Sequence, residues 1–127
     1  MARIYLDPST IVLRSPGREV RAVPGATDAL RTLQDGGDEV VVIGDVDAVV
    51  ELPDGVGAAT SLPADPGSDA WFLTGDPDTL AHLPVGMRTI LVGPRRAPGV
   101  VPLPRFDVEA RDLPAAVMEV LTRQAMR

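Results

Sequence analysis

The sequence predicts an α/β fold built on a parallel sheet, and three observations predict it. Short apolar runs rich in β-branched residues recur along the chain, separated by stretches with helical spacing. Glu39–Ile43 carries Val-Val-Val-Ile, the pattern of a central parallel strand covered on both faces. Acids stand at the ends of the runs: Asp7, Asp45 and Asp76, where ligands sit in an open α/β sheet. The 127 residues make one domain, spanning 1–127, because two cores cut from this length would each be too small to stabilise themselves.

The elements follow in order. Arg3–Leu6 reads as a first buried strand ending at Asp7-Pro8. Ile11–Arg14 and Glu19–Val23 flank Ser15-Pro16-Gly17 and read as a small hairpin. Pro24-Gly25 breaks the chain, and Ala26–Gln34 is a helix with Ala26, Ala29, Leu30 and Leu33 on one face, stopped by Gly36-Gly37. Glu39–Ile43 is the second long strand. Asp47 caps a short helix through Glu51. Val56–Leu62 is a weak strand and Pro63–Ser68 a loop. Ala70–Leu73 is a compact strand before Gly75-Asp76, Asp78–Leu83 a short helix, and Thr89–Val92 another buried strand. Proline-rich Gly93–Pro104 is an extended connection, Phe106–Glu109 an edge strand, and Asp112 caps a last helix from Leu113 to about Gln124. That helix turns Ala116, Val117, Val120 and Leu121 inward.

Composition excludes several classes of function. The net charge of -6 carries no basic face for nucleic acid and disfavours an anionic membrane surface. No apolar run reaches the roughly 18–20 residues of a membrane span. Met1–Asp7 meets an acid too early for a signal peptide, so the expected compartment is the cytoplasm. There is no cysteine, which removes disulfides, thiolate nucleophiles and cysteine-held metals. There is no lysine either: all 12 basic residues are arginine, which removes Schiff-base chemistry and the P-loop. The single histidine, His82, cannot make a multi-histidine site; it reads as a helix-surface imidazole. The absence of lysine and asparagine beside abundant Arg, Pro, Gly and Ala reflects a GC-rich genome of bacterial type.

Convergent carboxylates at strand ends suit Mg²⁺, which prefers hard oxygen ligands. The candidates are Asp7 and Asp76, with Asp78 two residues further on. Asp45 and Asp47 read as a strand-end turn and a cap. Ile43–Val56 and Thr74–Met87 align without gaps and share Gly, Asp, Asp, Leu, Pro and Gly, so Gly-Asp-x-Asp is also an architectural unit of this chain. Arg95-Arg96 read as a solvated loop, the prolines from Pro98 to Pro104 as polyproline II, and Trp71 and Phe72 as strand residues of the core.

These pieces resemble the haloacid dehalogenase (HAD) superfamily. Ile4-Tyr5-Leu6-Asp7-Pro8-Ser9-Thr10 is similar to its first motif, an apolar strand ending in D-x-D-G-T. The hairpin stands at the place of the family's flap, and Pro24–Leu33 at the entry of its first helix. Trp71–Asp78, with Gly86–Gly93 after it, resembles the fourth motif and the following strand. The resemblance implies a three-layer HAD-like (Rossmannoid) parallel sheet with helices on both faces, a small β-hairpin flap and no cap domain. It also implies Mg²⁺-dependent phosphoryl transfer. In the family the first aspartate attacks phosphorus, and the second protonates the leaving group and lends a backbone carbonyl to the metal. A Ser or Thr and a Lys hold the phosphoryl group, and a fourth-motif acid binds Mg²⁺.

Carried over residue by residue, Asp7 matches the nucleophile and Asp76 the metal acid, with Asp78 at a later acid of the fourth motif. Ser9 stands where the second aspartate belongs, Thr10 replaces the motif glycine and Ile11 the motif threonine. Gly44 stands at the Ser/Thr position, and the lysine has no counterpart. Between Arg31 and Arg88 the only basic side chain is His82, so no arginine substitutes locally. The expected metal set is Asp7, the Ser9 carbonyl, Asp76 and Asp78. The reading is a degenerate HAD-like domain that acts by binding a protein or a small phosphorylated ligand, with a residual Mg²⁺ site and without efficient phosphatase activity. The alternative is a weak Mg²⁺-dependent phosphohydrolase using Asp7. An unrelated receiver-like or nucleotide-binding module is disfavoured, for the chain has no lysine, no P-loop and no G-x-G-x-x-G.

Overall fold

A computed structural model describes residues 3–14, 20–44, 52–62, 70–75, 83, 87–92 and 108–125. The strands are β1 (Arg3–Leu6), β2 (Val12–Arg14), β3 (Val20–Ala22), β4 (Glu39–Ile43), β5 (Gly57–Ala59), β6 (Ala70–Thr74), β7 (Arg88–Val92) and β8 (Val108–Ala110). The helices are α1 (Ala26–Asp35) and α2 (Leu113–Ala125). The segments expected at Asp47–Glu51, Pro63–Ser68 and Gly93–Pro104 lie outside the described residues, as does the one at Asp78–Leu83 apart from Leu83 itself.

Six strands form one sheet in the order β5-β4-β1-β6-β7-β8, and every neighbouring pair is parallel. β2 and β3 pair antiparallel as a separate hairpin, at the place expected for a flap. The strand types follow from the side chains. In β4 the outer residue Glu39 is exposed while Val40 and Val42 are buried. All five residues of β6 are buried, as a strand covered on both faces demands.

One face of the sheet presents Ile4, Leu6, Val40, Val42, Trp71, Leu73, Ile90 and Val92 to the two helices. α1 contributes Ala26, Ala29, Leu30 and Leu33, the apolar stripe read from its spacing. α2 contributes Leu113, Ala116, Val117 and Val120, with Leu121 packed at the margin. Each fully buried large side chain here is worth about 1.5–3 kcal/mol of transfer free energy. The opposite face carries Tyr5, Ala70, Phe72 and Met87, with Val41, Ile43, Leu62 and Leu83 against them.

Helix ends are closed locally. Asp112 Oδ1 accepts the Ala115 N–H at 2.9 Å, the N-cap expected for α2. At the end of α1 the N–H groups of Gly36 and Asp38 reach back to the carbonyls of Thr32 and Leu33. Among the described residues no helix is long and apolar enough to cross a membrane.

Candidate functional site

The topology locates the site before any side chain is considered. From β1 the chain proceeds to β4 on one side; from β6 it proceeds to β7 on the other. β1 and β6 are neighbours, so their connections leave in opposite directions and open a crevice at their carboxyl ends. Leu6 pairs with Leu73, and one residue further the Asp7 N–H donates to the Leu73 carbonyl at 3.2 Å. Asp7 and Thr74 are thereby placed side by side at the mouth of the crevice.

Asp7 ends the strand and caps a 3-10 turn over Pro8–Thr10. Its backbone is extended (φ -100°, ψ 164°), and Pro8 enters the turn where a missing N–H costs nothing. The Asp7 carbonyl accepts the Thr10 N–H at 3.1 Å and the Thr10 hydroxyl at 2.9 Å. Ile11, fully buried, then anchors the turn in the core, and its carbonyl accepts the Val23 N–H at 2.8 Å at the root of the hairpin.

Both carboxylate oxygens of Asp7 are engaged. Oδ1 accepts the Ser9 N–H at 3.1 Å and also the Ser9 hydroxyl. Oδ2 accepts the Thr74 hydroxyl. An ionised carboxylate only accepts, so each hydroxyl proton is directed at Asp7. The Ser9 oxygen in turn accepts the Gly75 N–H at 2.8 Å. A chain of donors therefore runs from Gly75 N–H through Ser9 to Asp7.

Two glycines shape the crevice. A Cβ on Gly75 would lie 3.0 Å from the Val92 carbonyl and 3.1 Å from Ser9 Oγ, so only glycine lets the end of β6 approach Ser9 this closely. Gly44 has φ +110°, a conformation L side chains rarely adopt, and a Cβ there would meet the Pro8 ring at 3.4 Å. Its N–H donates to the Ala59 carbonyl at 2.8 Å. Position 44 therefore brings neither a hydroxyl nor its amide to the crevice.

The structure thus brings together Asp7 and Ser9, and confirms that Gly44 lies at the end of the neighbouring strand. Asp76 and Asp78 lie outside the described residues, as do Asp45, Asp47, His82, Arg95 and Arg96. Among the described residues no group of three or more His, Cys, Asp or Glu is placed to hold a metal. Sequence reasoning missed Thr74 and Thr10 as partners of Asp7. The available signal for Thr74 was a lone hydroxyl closing a strand that is otherwise Ala-Trp-Phe-Leu.

A parallel sheet with a carboxylate at its switch point, followed by a small hairpin, is HAD-like architecture. Among solved structures the chain is similar to the crystal structure of D,D-heptose 1,7-bisphosphate phosphatase from Burkholderia thailandensis, a phosphatase of the HAD superfamily. The TM-score is 0.65 at 22% identity, covering 96% of this chain and 99% of that one. The likeness is one of fold. No family model matches the sequence, and neither does any curated protein.

Proposed function

We propose that this chain is a HAD-like domain without efficient phosphoester turnover, acting by binding a small phosphorylated ligand or a protein at the β1/β6 crevice. The observation that carries the reading is the Ser9 hydroxyl, held between the Gly75 N–H and Asp7 Oδ1. A general acid–base needs a pKa near the working pH and contributes roughly 10²–10⁴-fold. A serine hydroxyl has no such pKa, and its proton is already directed at Asp7 as a hydrogen bond. The phosphoryl clamp is depleted as well: Gly44 offers no donor, and the chain contains no lysine. Loss of a single donor to a developing anion costs about 10²–10³-fold.

Mg²⁺ is part of the same proposal. Among the described residues, the side chains around Asp7 offer oxygen, carboxylate and hydroxyl, and oxygen is the kind of donor that Mg²⁺ selects. Asp7, the Ser9 carbonyl, Asp76 and Asp78 would hold it. Bound there, the ion would neutralise charge on a phosphoryl oxygen.

A second reading, a weak Mg²⁺-dependent phosphohydrolase, is favoured by one feature. Asp7 keeps the nucleophile's position at the switch point, with its carboxylate oriented from both sides. Hydrolysis of a broad phosphoester panel by wild type and Asp7→Asn separates the two. We expect no Mg²⁺-dependent rate above that of Asp7→Asn. Turnover that vanishes in Asp7→Asn would establish the second reading.

A further inference from the structure

Thr74 lies in the segment similar to the fourth motif, and the resemblance gives it no role. It closes a strand of apolar residues, its side chain is 0% exposed, and its hydroxyl donates to Asp7 Oδ2 across 67 residues of sequence. The contact depends on the sheet: the β1–β6 register sets Leu6 opposite Leu73 and so brings Thr74 beside Asp7. Ser9 holds the other oxygen from the turn. The carboxylate is therefore gripped by two elements, Oδ1 by the 3-10 turn and Oδ2 by β6.

We propose that Thr74 is a positioning residue for Asp7: its hydroxyl fixes the orientation of the carboxylate against the end of β6 and so sets how Asp7 meets a ligand. The proposal rests on the reading that Asp7 faces the ligand. A rotating carboxylate must be ordered each time it binds; one held at both oxygens is ordered beforehand. Hydrogen-bond partners that orient a ligating group typically change affinity by about 10–100-fold when removed.

Two measurements test this. The first is a double-mutant cycle in urea with Thr74→Val, Asp7→Ala and the pair. Thr74→Val keeps the shape and removes the hydroxyl. We expect it to lower the folding equilibrium constant about tenfold beside Asp7, and by a clearly smaller factor once Asp7 is alanine, as for a hydrogen bond to a charged group. Equal effects in both backgrounds would overturn the link. The second is binding of beryllofluoride with Mg²⁺, a phosphoryl mimic that bonds to carboxylates, followed by fluorine NMR. We expect wild type and Thr74→Ser to bind, Thr74→Val to bind about tenfold more weakly, and Asp7→Asn not to bind. Equal binding by Thr74→Val and wild type overturns the positioning role while leaving Asp7 as the ligand's partner. No binding by wild type overturns both, and the cycle alone then shows whether the two residues are coupled.

Discussion

Among the described residues three hydroxyls converge on Asp7: Ser9 and Thr74 on its carboxylate, Thr10 on its carbonyl. On the function proposed above, Ser9 decides the chemistry, because it would stand at the acid–base position with a group that cannot titrate usefully. Ser9→Asp puts a carboxyl group there and leaves the Gly75 N–H an acceptor. A general acid matters most when the leaving group is a poor one. We expect Ser9→Asp with Mg²⁺ to hydrolyse an alkyl phosphate about tenfold above the background shared by wild type and Asp7→Asn, and to change an aryl phosphate much less. The gain falls below the roughly 10²–10⁴ of a complete acid–base because the phosphoryl clamp stays missing. Identical rates for wild type and Ser9→Asp on the alkyl ester would place the deficit elsewhere.

The phosphoryl clamp that the proposed function takes as lost is harder to restore. Gly44→Ser returns the hydroxyl but must hold a serine at φ +110° against the Pro8 ring. Such backbone strain costs about 1–3 kcal/mol. The variant is expected to melt several degrees lower than wild type, read by thermal unfolding, with no gain in turnover. An unchanged melting temperature would show that the backbone at 44 relaxes freely. Asp7, Ser9 and Gly44 could be placed from sequence because each belongs to a local pattern. Thr74 could not: its partner is 67 residues away, and only the sheet register brings them together. The left-handed backbone at Gly44 was equally hidden, since glycine permits that conformation without requiring it.

Periodicity revealed the elements themselves. β1 and β4 occupy the residues read from their apolar runs, and α1 extends the expected helix by one residue to Asp35. Boundaries moved where pairing, not side-chain pattern, sets them. β6 takes in Thr74, and β7 begins at Arg88 because Arg88 pairs with Trp71. β8 is described over Val108–Ala110 and runs one residue past the end expected at Glu109, because Ala110 pairs with Val92; Phe106 lies outside the described residues. The cap of α2 was legible from one acid before an apolar stripe, and it makes a sharp test. Asp112→Ala removes the acceptor of the Ala115 N–H and should cost about 0.5–2 kcal/mol. Asp112→Ser, which can still accept, should recover most of that in urea unfolding. If both variants match wild type, the cap contributes nothing to α2.

At the scale of the molecule, the central strand β1 is finished only when chain from well beyond it arrives on both sides. β4 supplies one neighbour and β6 the other, and all pairings are parallel. Parallel sheets close long loops before their contacts form, which slows folding relative to helical domains. The chain carries its own reporter of that closure. Trp71 is the single tryptophan, 1% exposed, in β6 between β1 and β7. The Arg88 guanidinium lies 5.3 Å from the centre of its ring, and among the described residues the indole N–H has no hydrogen-bond partner. Its emission should therefore be blue-shifted in the folded protein and move to the red only when the sheet comes apart. Because α1 and α2 both pack on the Trp71 face, loss of helix and exposure of the indole should form one cooperative transition. Urea titrations followed by indole fluorescence and by far-ultraviolet circular dichroism are expected to share a midpoint, and refolding from urea should take milliseconds to seconds. A fluorescence midpoint clearly below the dichroism midpoint would mean that the sheet opens around β6 while the helices persist. The β1/β6 crevice would then be the least stable part of the fold rather than one anchored by its core.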